Sequence, residues 1–183
     1  MSTAVRKLLL PKTAGWRETA VLVVVAWLVP FLVHLVPWAG PRVLGVYLLP
    51  VFWTTFVAGY FYGALPGLAV GLVTPLVNLA LTGLPALPMV GSMSLEVGFF
   101  AVGAALLAGR WPGFWFSAPL AWIAAKALAI GVLLFLPAAG PADNPLVHLA
   151  RSAENGLAGL GVLAVINGLL VVFYPQTDTG ERA

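Results

Sequence analysis

The sequence has no cysteine and few charged residues: nine are basic and six are acidic among 183. Without cysteine the chain has no disulfide framework, thiolate nucleophile or cysteine-ligated metal or cluster site. Charged residues make up 8% of the chain, whereas a soluble domain has about 25%. So few charges cannot cover the surface of a soluble domain of this size, which excludes a soluble globular protein.

Apolar residues dominate instead, with 61% hydrophobic residues and a mean hydropathy of +1.02. This composition indicates a protein whose solvent is the lipid bilayer. We predict an all-α fold, a six-helix transmembrane bundle that forms a single membrane domain over residues 1–183. Six apolar stretches are the predicted spans: residues 19–38, 43–64, 67–82, 91–108, 114–137 and 155–174. Residues 138–154 are the longest predicted internal loop, and we expect Pro50 and Pro75 to kink their helices.

The basic residues predict the orientation of the bundle. With six spans, six basic residues fall on one side: Arg6, Lys7, Lys12, Arg17, Arg110 and Arg182. Only Arg42 and Arg151 fall on the other. The positive-inside rule therefore places both termini in the cytoplasm, in a multi-pass protein of the plasma membrane in contact with lipid. Scattered basic residues of this kind form no continuous stripe along a phosphate backbone, so we expect no nucleic-acid partner.

Two ionisable residues lie inside predicted spans, Glu96 and Lys126. Such side chains are expensive in a membrane unless they are paired or hydrated, and they mark candidate functional sites. In the predicted topology both lie at or above the midplane, in the outward half. Asn78, His34 and Asn155 fall in the same half, so that polar groups from five helices converge at one depth. This convergence predicts a small-molecule pocket that opens outward.

Trp122 precedes Lys126 by one helical turn, and we expect it to form an apolar wall of this pocket. The structural alternative is that Glu96 and Lys126 only neutralise each other as a buried ion pair, with the asparagines as interhelical hydrogen-bond partners. Asn167, which lies deeper on the cytoplasmic side, is interpreted as such an interhelical link. The segments 82–91 and 137–151 are expected to close over a bound ligand.

Small residues at four-residue spacing predict where the helices pack closely. The pairs are Gly67 and Gly71, Ala101 and Ala105, and Ala164 and Gly168, with Ala121, Ala125 and Ala129 forming a longer row. In membranes such rows allow helix backbones to approach each other. Their expected role is to hold the bundle together.

Catalytic motifs are absent from the sequence. It contains no Gly-x-x-x-x-Gly-Lys-Ser/Thr loop and no His-Glu-x-x-His pair. It also has no Gly-x-Ser-x-Gly elbow and no dense acidic cluster for Mg²⁺. These absences favour a binding protein over an enzyme, with no metal site and no cofactor.

Two segments of the chain are motif-like, LTGLPALPM at residues 81–89 and MSLEVGF at residues 93–99. With these segments, its size and its six predicted spans, the chain resembles the substrate-binding S components of energy-coupling factor (ECF) vitamin transporters. In that family a Pro/Gly loop commonly leads into a fourth helix that carries a glutamate, and a basic residue on helix five and an asparagine on helix six often complete the site. Glu96, Lys126 and Asn155 are the matching positions.

The resemblance implies a function. S components bind a vitamin or related micronutrient from outside and associate with a transmembrane coupling subunit and two ATPase subunits that drive uptake. On helix one Ala20 is followed four residues later by Val24, where many members have a second alanine for docking the coupling subunit. Two other functions stay open: a structural or scaffold membrane protein of a cell-envelope complex, and a secondary transporter with Glu96 as its proton carrier.

Overall fold

A computed structural model describes residues 15–135 and 144–175, and within these ranges the protein is all-helical, without a strand. At Pro145, His148 and Leu149 only the backbone is described. The helices in chain order are α1 (Trp16–Leu35), α2 (Leu44–Leu48), α3 (Pro50–Tyr62), α4 (Ala64–Thr82), α5 (Leu87–Arg110), α6 (Ser117–Phe135) and α7 (Pro145–Phe173).

Six of the helical segments that the structure describes are long and apolar enough to cross a bilayer. They are α1, the segment Leu44–Tyr62 that joins α2 to α3, α4, α5, α6 and the part Ala150–Phe173 of α7. The prediction of an all-helical protein with six candidate membrane spans is confirmed.

The second span is broken at Leu49. This residue is in the left-handed region with φ 56°, and it ends α2 and precedes Pro50, the first residue of α3. A proline disfavours helical geometry at the residue before it, so the chain breaks here instead of bending within one helix. Pro75, by contrast, lies inside the continuous helix α4.

The last helix begins well before the predicted start at residue 155. The side chain of Asn144 accepts a hydrogen bond of 2.9 Å from the backbone N–H of Leu146, and Pro145 occupies the first helical position. An asparagine cap followed by proline is a common start of a helix. Residues 145–154, predicted as loop, are therefore helical, while residues 136–143 lie outside the described ranges.

The larger buried core forms where α5 packs against α3 and α6, and α5 also packs along α4. Close approach of α4 to its neighbours depends on glycine: a Cβ at Gly71 would lie 3.0 Å from the carbonyl oxygen of Val97, and one at Gly67 would lie 3.0 Å from the Cα of Gly59. The predicted packing at Gly67 and Gly71 is thus confirmed. A Cβ at Gly168 would have no heavy atom within 4 Å among the described contacts, so Gly168 does not serve as a point of helix contact.

The spans alternate in direction, which gives the bundle two ends. The cavity end contains the C-terminal parts of α1, α4 and α6, the N-terminal parts of α5 and α7, and α2. The opposite end contains the connection between α5 and α6 and the C-terminal part of α7, where the hydroxyl of Tyr60 donates a hydrogen bond of 2.9 Å to the carbonyl of Tyr174.

Candidate functional site: a cavity at one end of the bundle

A cavity of about 410 Å³ lies at the cavity end, and every helix contributes to its wall. Two residues come from α1 (Pro30 and His34), while α4, α6 and α7 contribute one residue each (Asn78, Lys126 and Ser152). Helices α2, α3 and α5 supply most of the rest. A cavity of this size is within the usual range for small-molecule sites.

The cavity has an exposed apolar rim and a buried floor that contains the polar groups. The rim includes Val43, Val46, Leu84 and Met89, all at least 38% exposed. The buried residues of the floor are Val51, Phe52, Asn78, Ser92, Glu96 and Lys126. Polar groups beneath an apolar entrance are a typical arrangement for orienting a ligand that buries most of its surface.

Glu96 and Lys126 form an ion pair in the floor, between α5 and α6. The ammonium group of Lys126 donates to Oε2 of Glu96 at 2.5 Å, and the two residues are only 7% and 5% exposed. Lys126 also donates a short hydrogen bond to Oγ of Ser152 on α7. The predicted convergence of Glu96 and Lys126 is observed, and the ion pair of the structural alternative occurs within the cavity wall itself.

Trp122 lies behind Lys126 and not among the described residues of the cavity wall. Its ring is 5.2 Å from the Lys126 ammonium, within range of a cation–π interaction. The ring also contacts α7, where a Cβ at Gly156 would lie 3.0 Å from it. Trp122 therefore supports the ammonium group from below instead of forming the expected wall.

Asn78 reaches the floor from α4, as predicted, and it is buried. Its Oδ1 accepts a long contact of 3.4 Å from the hydroxyl of Thr82, which also donates to the backbone carbonyl of Asn78. Among residues 15–135 and 144–175, neither the amide nitrogen of Asn78 nor Oε1 of Glu96 has a hydrogen-bond partner. Neither atom is fully enclosed, so both are accessible from the cavity.

His34 lies at the rim, where its ring covers Gly45 of α2. Nδ1 is 2.6 Å from the carbonyl oxygen of Pro30, one turn earlier on α1. A Cβ at Gly45 would lie 2.5 Å from the His34 ring, so a larger residue at this position would require the ring to move. The prediction that His34 joins the same site agrees with its position in the wall.

Asn155 is not brought to the described cavity wall. Its amide nitrogen donates a hydrogen bond of 2.6 Å to the carbonyl of Arg151 on the same helix. Ser152, almost one turn earlier, supplies the contribution of α7 to the site. Sequence reasoning missed Ser152 because residues 138–154 were predicted as loop, although the sequence Asn144-Pro145 carries the signal of an earlier helix start.

The segment between α4 and α5 also borders the cavity. Leu84, Pro85, Ala86 and Met89 contribute to its wall, in agreement with the position expected for residues 82–91. Of the other segment expected to close the site, 137–151, the residues up to 143 lie outside the described ranges, and from Pro145 onward the chain is helical.

A second polar cluster links α6 to α7 at the opposite end. We call it the closed cluster; it consists of Asn167, Ser117 and the backbone of Phe114 and Ala118. Asn167 is fully buried; its Oδ1 accepts from the Ser117 hydroxyl at 2.5 Å and from the Ala118 N–H at 2.9 Å, and its amide donates to the Phe114 carbonyl at 3.2 Å. This confirms the interpretation of Asn167 as an interhelical link.

Among the described residues of its wall, the cavity offers few chemical groups: one ion pair, one amide, hydroxyl groups and a histidine at the rim. Across the described residues, no group of three or more His, Cys, Asp or Glu side chains could hold a metal ion. The arrangement is suited to binding a small molecule through a few polar contacts and a large apolar surface.

Comparison of the chain with protein-family models, curated proteins and solved structures found no match.

Proposed function

We propose that this protein is the substrate-binding subunit of an ECF-type importer in the plasma membrane, with both termini in the cytoplasm. It captures a vitamin or related micronutrient from the extracellular side. A transmembrane coupling subunit and two ATPase subunits then drive uptake, and the chain itself performs no catalysis.

One observation carries the proposal: the cavity of about 410 Å³ has Asn78, Glu96 and Lys126 from three different helices in its buried floor. A bundle needs no such cavity for stability, since close packing is favoured over voids. The polar atoms that remain accessible, on Asn78 and Glu96, are what a ligand requires for orientation. The resemblance at residues 81–99 supports the same function, because this segment supplies Leu84 and Glu96 to the cavity.

The ion pair favours a second candidate function, a scaffold protein in which Glu96 and Lys126 fix the register of α5 against α6. Buried polar pairs are known to specify helix register in some proteins. This candidate explains the pair but gives the cavity no role. It predicts that loss of the chain changes the level of a partner complex and leaves the uptake of nutrients unchanged.

Depletion of micronutrients from growth medium tests the proposal. Cells of the native host, a deletion strain and complemented strains are grown in defined medium, and the vitamins that remain are quantified by mass spectrometry. We expect the deletion strain to stop removing one compound, and the wild-type gene to restore its removal. Complementation with Glu96→Gln/Lys126→Met is expected to be reduced, because the variant replaces the carboxylate acceptor in the floor with a weaker amide acceptor.

Two controls separate the candidate functions. Asn167→Leu, which changes the closed cluster only, is expected to restore depletion of the compound in the deletion strain.

The second control concerns the energy source. Arsenate, which depletes ATP, is expected to stop uptake, whereas a proton-coupled transporter with Glu96 as carrier would respond to collapse of the proton gradient while ATP is maintained. Unchanged depletion of every compound in the deletion strain would contradict a role in uptake.

A further inference from the structure

The two charges that face the cavity cancel each other. Among the described residues of its wall, Glu96 and Lys126 are the only Asp, Glu, Lys or Arg side chains. They are in direct contact at 2.5 Å. The net charge of the pair is zero whether the proton resides on the amine or on the carboxylate, so the floor as a whole carries no net charge.

The ammonium group is already engaged by groups of the protein. An ammonium has three N–H groups, and Lys126 donates to Glu96 and to Ser152 while it lies 5.2 Å from the centre of the Trp122 ring. A ligand carboxylate that entered the floor would bring a second negative charge beside Glu96, and if it displaced Glu96 from Lys126 it would leave the Glu96 charge buried without a partner. Breaking a buried pair in this way is strongly unfavourable.

The accessible atoms have a definite chemical character. Oε1 of Glu96 is an acceptor only, and Asn78 offers an amide donor beside a carbonyl acceptor that is weakly engaged by Thr82 at 3.4 Å. A ligand that satisfies both residues needs an N–H or O–H donor for Glu96 and an acceptor for the Asn78 amide. Carboxamide, lactam and ureide groups carry both functions without a net charge.

We infer that the part of the ligand that enters the cavity floor is uncharged and carries both an N–H or O–H donor and a hydrogen-bond acceptor. The inference rests on the proposed function, because it concerns the same cavity. It assigns Lys126 a role different from the one expected from sequence: Lys126 neutralises and positions Glu96 and does not bind an anionic group of the ligand.

Three probes with one ring system test the inference: quinoline-3-carboxamide, quinoline-3-carboxylate and (quinolin-3-yl)methylammonium. Their Kd values are measured by calorimetric titration of the purified full chain in detergent at neutral pH. We expect the Kd of the carboxamide to be at least about tenfold lower than that of either ion. Burial of an unpaired charge costs more than the roughly 1.4 kcal/mol that corresponds to a tenfold change in Kd. Equal or tighter binding of an ion, or no binding of the carboxamide, would overturn the inference.

Variants of the pair give the sharper measurement. Glu96→Gln leaves the Lys126 charge unpaired, so the carboxylate is expected to become the tightest of the three probes. Lys126→Met leaves the Glu96 charge unpaired, so the ammonium is expected to become the tightest. An unchanged order of affinities in these variants would show that the pair does not select the charge of the ligand.

The double variant Glu96→Gln/Lys126→Met keeps the floor neutral and remains informative even where a single variant folds poorly. It retains an acceptor on Gln, and we expect it to prefer the carboxamide as the wild type does, with weaker binding; preference for an ion would contradict the inference.

Failure of these titrations while the host strain still depletes one vitamin would refute the ligand class alone. Failure of both experiments would refute the proposed function as well.

Discussion

Polar side chains connect helices at both ends of the bundle, but the two clusters differ in how fully they are hydrogen-bonded. In the closed cluster, both polar atoms of the Asn167 side chain have partners, and the residue is fully buried. In the cavity floor, Asn78 and Glu96 each keep one polar atom accessible, and the cavity lies in front of them. Buried polar groups are normally satisfied within the protein, so the floor is the cluster that is arranged to receive a partner from outside.

The two buried asparagines of the bundle, Asn167 and Asn78, have different roles. Asn167 links α6 to α7, whereas within the described residues the Asn78 side chain has a hydrogen-bond partner only in Thr82 of its own helix. We therefore expect changes at the closed cluster to affect stability, and changes at Asn78 to affect ligand binding.

The largest effect on stability is expected for Lys126→Met. The variant leaves the buried Glu96 carboxylate without its counter-charge, and removal of one partner of a buried pair costs about 3–5 kcal/mol. The free energy of unfolding in detergent micelles measures this effect. Glu96→Gln/Lys126→Met is expected to recover most of the loss, and a double variant as unstable as the single one would contradict a pairwise origin.

The second effect concerns the packing contact between α2 and α7. A Cβ at Gly159 would lie 2.6 Å from the Leu49 side chain and 2.9 Å from the backbone of Leu48. Gly159→Ala is expected to destabilise the protein by about 1–3 kcal/mol, because a tightly packed contact must shift.

Gly161 provides a matched control on the same helix, since a Cβ there meets no described atom within 4 Å. Gly161→Ala is expected to stabilise the protein by about 0.5–1 kcal/mol through helix propensity. If thermal denaturation gave equal shifts for the two variants, close packing at Gly159 would not be the cause.

A third effect is expected for Asn167→Leu. It removes three hydrogen bonds at the closed cluster, and interhelical hydrogen bonds in membrane proteins contribute about 0.6 kcal/mol each. We therefore expect a loss of about 2 kcal/mol in the free energy of unfolding, with the relative affinities for the quinoline probes unchanged. Altered affinities would mean that the two ends of the bundle are coupled.

The smallest effect on stability is expected for Asn78→Leu. The substitution removes only a side-chain contact of 3.4 Å to Thr82, so we expect a loss below about 1 kcal/mol. A loss as large as that of Asn167→Leu would show that Asn78 is mainly a structural residue.

The sequence was sufficient to predict the helical class and the meeting of Asn78, Glu96 and Lys126. Hydropathy predicts which segments can span a membrane. Burial of a charged side chain within a span has a high free-energy cost, so the depth of each charged residue in its span is enough to mark it as a candidate site residue. Hydropathy and the cost of burying a charge both act on the chain segment by segment. Both can therefore be evaluated from the sequence without the three-dimensional structure.

Ser152 and Trp122 show where sequence reasoning stopped. The start of α7 depends on the cap at Asn144, a local signal that the hydropathy of the segment does not contain, so hydropathy alone predicts a loop at Ser152. The position of Trp122 depends on direction: side chains tilt toward the N-terminus of their helix, and α6 runs toward the cavity. A residue one turn before Lys126 therefore lies below the floor and not in the wall.

The most direct test of the account is to identify the small molecules that the purified protein retains. Wild-type protein, Asn78→Leu and Asn167→Leu are purified in parallel from cells grown in vitamin-rich medium, denatured, and the released compounds are quantified by mass spectrometry. We expect one compound that is released by the wild type and by Asn167→Leu and is depleted in Asn78→Leu. A compound retained equally by all three proteins, or none released by the wild type, would contradict the assignment of the cavity as the ligand site.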